Sequence, residues 1–223
     1  MNTRSFHQEI PWYWVPPKGE VRSLLLGLHG MAQDGERLGR RLSGLLEQGV
    51  GLILPCGPYP MEVRGRHGAR QGHAWYIFTG DQDAFKTSME KSEEDLLNLV
   101  EHIRKDPDLG ALPLDLLGFS QGGYLAGFLA LRNPSLFRSC TIASARLKHE
   151  FLEQELSSSP PLEILFLHDR TDPLTRAEPV EESQKILERA GVPSSIQWHD
   201  DGHALGEQSA ELLSQWLKDP ANR

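Results

Sequence analysis

The stretch Leu114-Asp115-Leu116-Leu117-Gly118-Phe119-Ser120-Gln121-Gly122-Gly123 reads as a short strand running into a G-x-S-x-G turn, with a helix starting directly after the serine. Glycines on either side of Ser120 let neighbouring backbones come close around a strained turn that lifts the hydroxyl above the sheet edge. Outward from this turn, short apolar runs at 23–28, 49–54, 114–119, 139–143, 162–167 and 194–198 alternate with helical stretches around 35–47, 88–104, 121–131, 177–190 and 207–217. That alternation calls for βαβ units and a mostly parallel central sheet with helices on both faces. Residues 11–15, bracketed by Pro11, Pro16 and Pro17, read as an added edge strand.

The 223 residues are expected to form one domain, 1–223, since a chain of this length can bury a single sizeable core. With 39% hydrophobic and 24% charged residues it is neither disordered nor fibrous. A formal charge of −8 argues against nucleic acid as a partner, which calls for clustered positive charge. Cys56 and Cys140 form no paired motif, so neither a zinc ribbon nor a disulfide scaffold is encoded. Residues 1–10 lack the apolar region of a secretory leader, and no run approaches a membrane span; the expectation is a soluble, cytoplasmic protein without stable membrane insertion. Residues 55–85, rich in Gly, Pro, Arg and His, read as a long loop, functional or poorly ordered. Glu90, Glu93, Glu94, Asp95 and Glu101 read as the solvated face of a helix, and Trp12, Tyr13 and Trp14 as an edge strand with one face in the core.

A serine hydroxyl attacks only when a base takes its proton, so a carboxylate and a histidine are expected to follow in the order Ser, Asp or Glu, His. His203 lies just past the last strand, with His199 as a structural neighbour. The carboxylate belongs after the preceding strand, in His168-Asp169-Arg170-Thr171-Asp172-Pro173. Both aspartates qualify by position. Pro173 favours Asp172 by holding it extended, and Asp169 then reads as a turn or capping residue. The developing oxyanion needs backbone donors: Gln121 N–H after the serine, and Met31 N–H in His29-Gly30-Met31 at an earlier strand end.

His29-Gly30-Met31, Gly118 to Gly123, His168 to Asp172 and Gly202-His203 through Glu207 resemble the α/β-hydrolase phospholipase/carboxylesterase family, which includes acyl-protein thioesterases. Leu54-Pro55-Cys56-Gly57-Pro58 and Ala74-Trp75-Tyr76 extend the likeness over about residues 21 to 217. The resemblance implies an α/β-hydrolase fold with minimal or no cap, no cofactor, and a small-molecule ester or thioester substrate. It makes Ser120 the nucleophile, Asp172 the orienting acid and His203 the base. The sequence departs from the family in having Asp169 where glycine is common, and a polar, charged segment at 144–149 in place of a more apolar one, which argues against a long lipid chain.

Other readings compete. His199, Asp200, Asp201 and His203 offer metal-ligand types, yet neighbouring residues on an extended strand point to opposite faces and cannot all converge. A catalytically silent hydrolase-fold scaffold is the non-enzyme alternative. Arg64, Arg66 and Arg70, in a segment ending at Trp75, read either as an exposed polar loop or as a rim that attracts an acidic substrate while Trp75 packs beside the acyl group; this second reading expects short acyl esters to be preferred. The protein is expected to be a monomer or homodimer, with no metal.

Overall fold

A computed structural model describes residues 9–66, 68–158 and 161–218. The leader reading of the first eight residues and any part played by His67 lie outside these. The chain runs β1 (Trp12–Val15), β2 (Ser23–Leu28), α1 (Gly35–Arg41), a 3₁₀ turn (Ser43–Gln48), β3 (Val50–Pro55), β4 (Tyr59–Gly65), β5 (Gly68–Ala74) and α2 (Gln82–Arg104). It continues with β6 (Leu114–Phe119), α3 (Gln121–Arg132), β7 (Ser139–Ala143), α4 (Glu153–Leu156), β8 (Glu163–Asp169), α5 (Ala177–Arg189), β9 (Ser194–His199) and α6 (Glu207–Lys218).

Seven strands form one sheet in the order β1-β3-β2-β6-β7-β8-β9, and every pairing is parallel except that of β1 with β3. The runs in β2, β3, β6 and β7 are buried throughout, and since side chains alternate sides along a strand both faces of the sheet are covered there, while β9 at the edge is only half-buried. Leu24, Leu26 and Leu28 of β2 join one core cluster with Met89, Leu96 and Val100 of α2, Phe128 of α3 and Leu187 of α5. Leu25 joins the other, with Leu38 of α1 and Leu213 and Trp216 of α6. The sheet thus carries α2, α3 and α5 on one face and α1 and α6 on the other, as the alternation of elements requires.

From β2 the chain passes first to β3 on one side and later to β6 on the other. The carboxyl ends of β2 and β6, paired at Leu28 and Gly118, therefore meet where the strand order reverses. In open α/β sheets that crevice is where ligands bind.

Four expectations need correction. Residues 59–74 are a paired hairpin, β4 with β5 from Tyr59↔Ala74 to Gly65↔Gly68, and not a loop. Helix α2 starts six residues before the expected 88, capped by Asp81, whose Oδ1 accepts from the N–H groups of Asp83 and Ala84, each at 3.0 Å. Glu93 is buried, not solvated: Arg132 Nε donates to its two oxygens at 3.0 and 2.9 Å and Asn133 Nδ2 at 2.7 Å, which compensates a desolvated charge. Trp12 and Tyr13 are 38% and 39% exposed, because an edge strand is covered only in part; Trp14 alone packs against the core.

Candidate active site

Ser120 sits between β6 and α3 with φ 53° and ψ −116°, a left-handed backbone held by its surroundings. The turn tolerates nothing but glycine at two places. A Cβ on Gly118 would lie 2.1 Å from the Gly122 carbonyl oxygen, and one on Gly122 would lie 2.3 Å from the Leu28 carbonyl oxygen. Ser120 N–H donates to the Ala143 carbonyl at 2.8 Å, which ties the turn to the end of β7.

His203 reaches this serine from the loop after β9. Its Nε2 is 2.9 Å from Ser120 Oγ, and its Nδ1 is 2.7 Å from Asp172 Oδ2. A carboxylate only accepts, so Nδ1 carries the ring proton and Nε2 is left to accept from the serine hydroxyl. Asp172 is 5% exposed, and its second oxygen accepts from the N–H groups of Leu174 and Thr175 at 2.8 and 3.0 Å. Burial works against its charge, but the hydrogen bonds from Thr175, His203 and Leu174 outweigh it and hold the carboxyl below its ordinary range.

Asp169, the other candidate, turns elsewhere. Its Oδ1 accepts from Thr171 N–H at 2.6 Å and Thr171 Oγ1 at 2.7 Å, and its Oδ2 accepts from Gly202 N–H at 2.6 Å. Hydrogen bonds from Thr171 lower its pKa first and that from Gly202 adds to them. His199, at the end of β9, accepts from Asp201 N–H on Nδ1 at 3.2 Å. Among the described residues, no three of His, Cys, Asp and Glu are placed to hold a metal ion together.

Gly30 lies against the nucleophile turn: a Cβ there would meet the Phe119 ring at 2.9 Å and Ser120 Cβ at 3.5 Å. The loop that holds Met31 is fixed by the hairpin, through Ala32 N–H to the His73 carbonyl at 2.9 Å, His73 N–H to the Gln33 carbonyl at 2.8 Å, and Arg70 Nη1 to the Ala32 carbonyl at 2.7 Å. Gln121 is locked from the other side, accepting from Trp75 N–H and donating to the Tyr76 carbonyl, both at 2.9 Å. Trp75 itself is 2% exposed, with Nε1 donating to the His29 carbonyl at 2.8 Å.

A cavity of about 890 Å³ opens over Ser120 and His203. Met31 and Gln121 line it; Trp75, Arg64, Arg66 and Arg70 do not. Arg64 and Arg66 are exposed on the hairpin, Arg64 pairing with Glu62 at 2.5 Å, and Arg70 is spent on the loop of Ala32. The wall is built instead by residues that the sequence reading did not single out as contacts, among them Tyr76, Phe78, Tyr124, Arg146, Lys148 and Leu174. Charge at 144–149 was the one signal that pointed to this wall.

A strained serine turn after β6, with an acid supplied by the loop after β8 and a histidine by the loop after β9, is the arrangement of the α/β hydrolases. The chain belongs to the phospholipase/carboxylesterase family, whose model matches residues 14–219. It resembles an acyl-protein thioesterase 2 of Zea mays (19% identity, TM-score 0.72, covering 95% of this chain and 98% of that one). A carboxylesterase of Mesorhizobium loti is similar at 21% identity and TM-score 0.72, covering 95% of each chain. A putative hydrolase, MhqD, of Bacillus subtilis is 25% identical over 103 residues, spanning 46% of this chain and half of that protein's length. The family is one of carboxylesterase-type hydrolases, and no helix among the described residues is long and apolar enough to cross a membrane.

Proposed function

We propose that the protein cleaves carboxylic esters or thioesters of small molecules through an acyl-serine intermediate, with Ser120 as nucleophile, His203 as base and Asp172 as orienting acid. The observation that carries this reading is the continuous chain Ser120 Oγ, His203 Nε2, His203 Nδ1, Asp172 Oδ2, with steps of 2.9 and 2.7 Å.

Ser120 Oγ attacks the acyl carbon as its proton passes to His203 Nε2, and Asp172 stabilises the imidazolium. The carbonyl oxygen, now negative, is held by the N–H groups of Gln121 and Met31. When the intermediate collapses, the bond to the alcohol or thiol breaks and His203 returns the proton to the leaving group. Water then attacks the acyl-serine with His203 again as base, releasing the acid and restoring Ser120.

The apolar lining from Tyr76, Ile77, Phe78 and Phe85 suits an acyl chain of modest length. Hydrolysis of 4-nitrophenyl butyrate and of a butyryl thioester tests the reading, with palmitoyl analogues beside them. Turnover of the short substrates that disappears in Ser120→Ala is expected. A well-folded wild type that cleaves neither ester nor thioester would instead favour the scaffold alternative.

A further inference from the structure

Among the described residues, the cavity over Ser120 is lined by two cations, Arg146 and Lys148, and by no carboxylate. Arg146 and Lys148 follow β7, the strand whose last carbonyl receives the Ser120 N–H. Lys148 is 7% exposed, its ammonium standing 4.8 Å from the Phe151 ring centre and 5.8 Å from that of Phe85. Arg146 lies over the Tyr124 ring at 6.0 Å and donates to the Leu147 carbonyl at 2.8 Å. Both cations share one acid outside the cavity: Glu150 receives Arg146 Nη1 and Nη2 at 3.0 and 2.9 Å and Lys148 Nζ at 3.2 Å. Burial is the largest single influence and opposes the Glu150 charge, yet the bonds and charge of Arg146, the Glu150 backbone N–H and Lys148 together outweigh it and draw its pKa down to about 2, so it stays a single fixed negative charge.

Two positive charges against one negative leave a net positive wall in a chain whose overall charge is −8. A buried ammonium set among aromatic rings is stabilised when an anion comes to it, and a neutral long chain supplies none. At the mouth, Ile77, Phe78 and Leu174 are 57%, 58% and 74% exposed and offer an apolar contact. Building on the esterase reading above, we propose that Arg146 and Lys148 form an anion subsite, and that the preferred substrate is an ester or thioester with a carboxylate on one of its two fragments. This places charge selection in the wall after β7 and not in the arginines of the hairpin.

Two matched pairs of substrates test the subsite. The 4-nitrophenyl hydrogen adipate and its methyl ester put the charge on the acyl side; 4-acetoxybenzoate and its methyl ester put it on the leaving group. In the wild type the anionic member of at least one pair has a kcat/KM about tenfold above its neutral partner, and the ratio falls as salt is added. Lys148→Met, which keeps length and removes charge, brings that ratio to about one. Glu150→Gln, which removes the competing acid, raises it. Each ratio is taken within one protein, so a loss of folded enzyme moves neither. A ratio at or below one in both pairs, unmoved by either substitution while neutral esters are still cleaved, overturns the subsite and leaves the esterase reading intact. Absence of all ester cleavage overturns both.

Discussion

The Asp169 carboxylate accepts the Gly202 N–H at 2.6 Å, one residue before His203. Asp169 thereby holds the loop that delivers the histidine, while Asp172 holds the histidine ring itself at 2.7 Å. Gly202 stands at φ +68°, a backbone conformation that glycine adopts without strain.

The two aspartates therefore separate by experiment. Asp172→Asn leaves the fold intact but presents the wrong partner to Nδ1, and kcat is expected to fall by about 10³ to 10⁴. Asp169→Asn keeps one accepting oxygen and sets its NH2 against either Gly202 or Thr171, which loosens the loop but leaves the bond from His203 to Asp172 in place, so kcat falls by about tenfold or less. Steady-state kinetics on a butyrate ester, with circular dichroism as the check on folding, reads both; the reverse ranking would show Asp169 to be the orienting acid.

Arg70 donates to the Ala32 carbonyl at 2.7 Å and does not line the cavity, so its expected effect runs through the loop of Met31 and not through substrate charge. Arg70→Gln frees the loop that holds the Met31 N–H, and a drop in kcat of about tenfold with little change in KM is expected for a neutral ester. Arg64→Gln and Arg66→Gln, on exposed side chains, leave both constants where they were. A KM effect from Arg64 or Arg66 would return substrate recognition to the hairpin.

His29 predicts how stability responds to acid. Gly57 N–H donates to its Nε2 at 3.0 Å, so the ring proton sits on Nδ1, 2.7 Å from the Gly30 carbonyl, and the ring is buried as the neutral form. Burial lowers its pKa from 6.5 to about 4. Between these values the unfolded chain binds a proton that the native protein refuses, so stability is lost as pH falls through this window, by about 3 kcal/mol at most, and levels off below it. Urea unfolding from pH 7 to 4 reads the slope, and His29→Asn, although less stable at pH 7, is expected to show a shallower one. Equal slopes would mean that His29 is not held neutral.

The sheet was legible from sequence because its inner parallel strands are covered on both faces and are mostly apolar, as Leu24 to Leu28 are and as Leu114 to Phe119 are apart from Asp115. Ser120, Asp172 and His203 stood out because each lies just past a strand end in the required order. The hairpin escaped notice although Tyr59, Met61 and Val63 alternate with Pro60, Glu62 and Arg64, because its second strand, Gly68–Ala74, carries no apolar alternation to pair with them. Trp75 was misread because an aromatic residue near a site looks alike in sequence whether its indole meets substrate or, as here, the His29 carbonyl. Arg146 and Lys148 reach the cavity only through the packing of the segment after β7 against α3, a long-range contact that no local pattern announces.

The nucleophile is tested most directly by mass spectrometry of the protein after treatment with a fluorophosphonate, whose phosphorus an activated serine attacks with loss of fluoride. One adduct is expected, mapped to the peptide that contains Ser120, and it is absent from Ser120→Ala and strongly slowed in His203→Ala, with ester hydrolysis lost in parallel. An adduct on another residue, or a Ser120→Ala protein that still hydrolyses esters at the wild-type rate, would contradict the account.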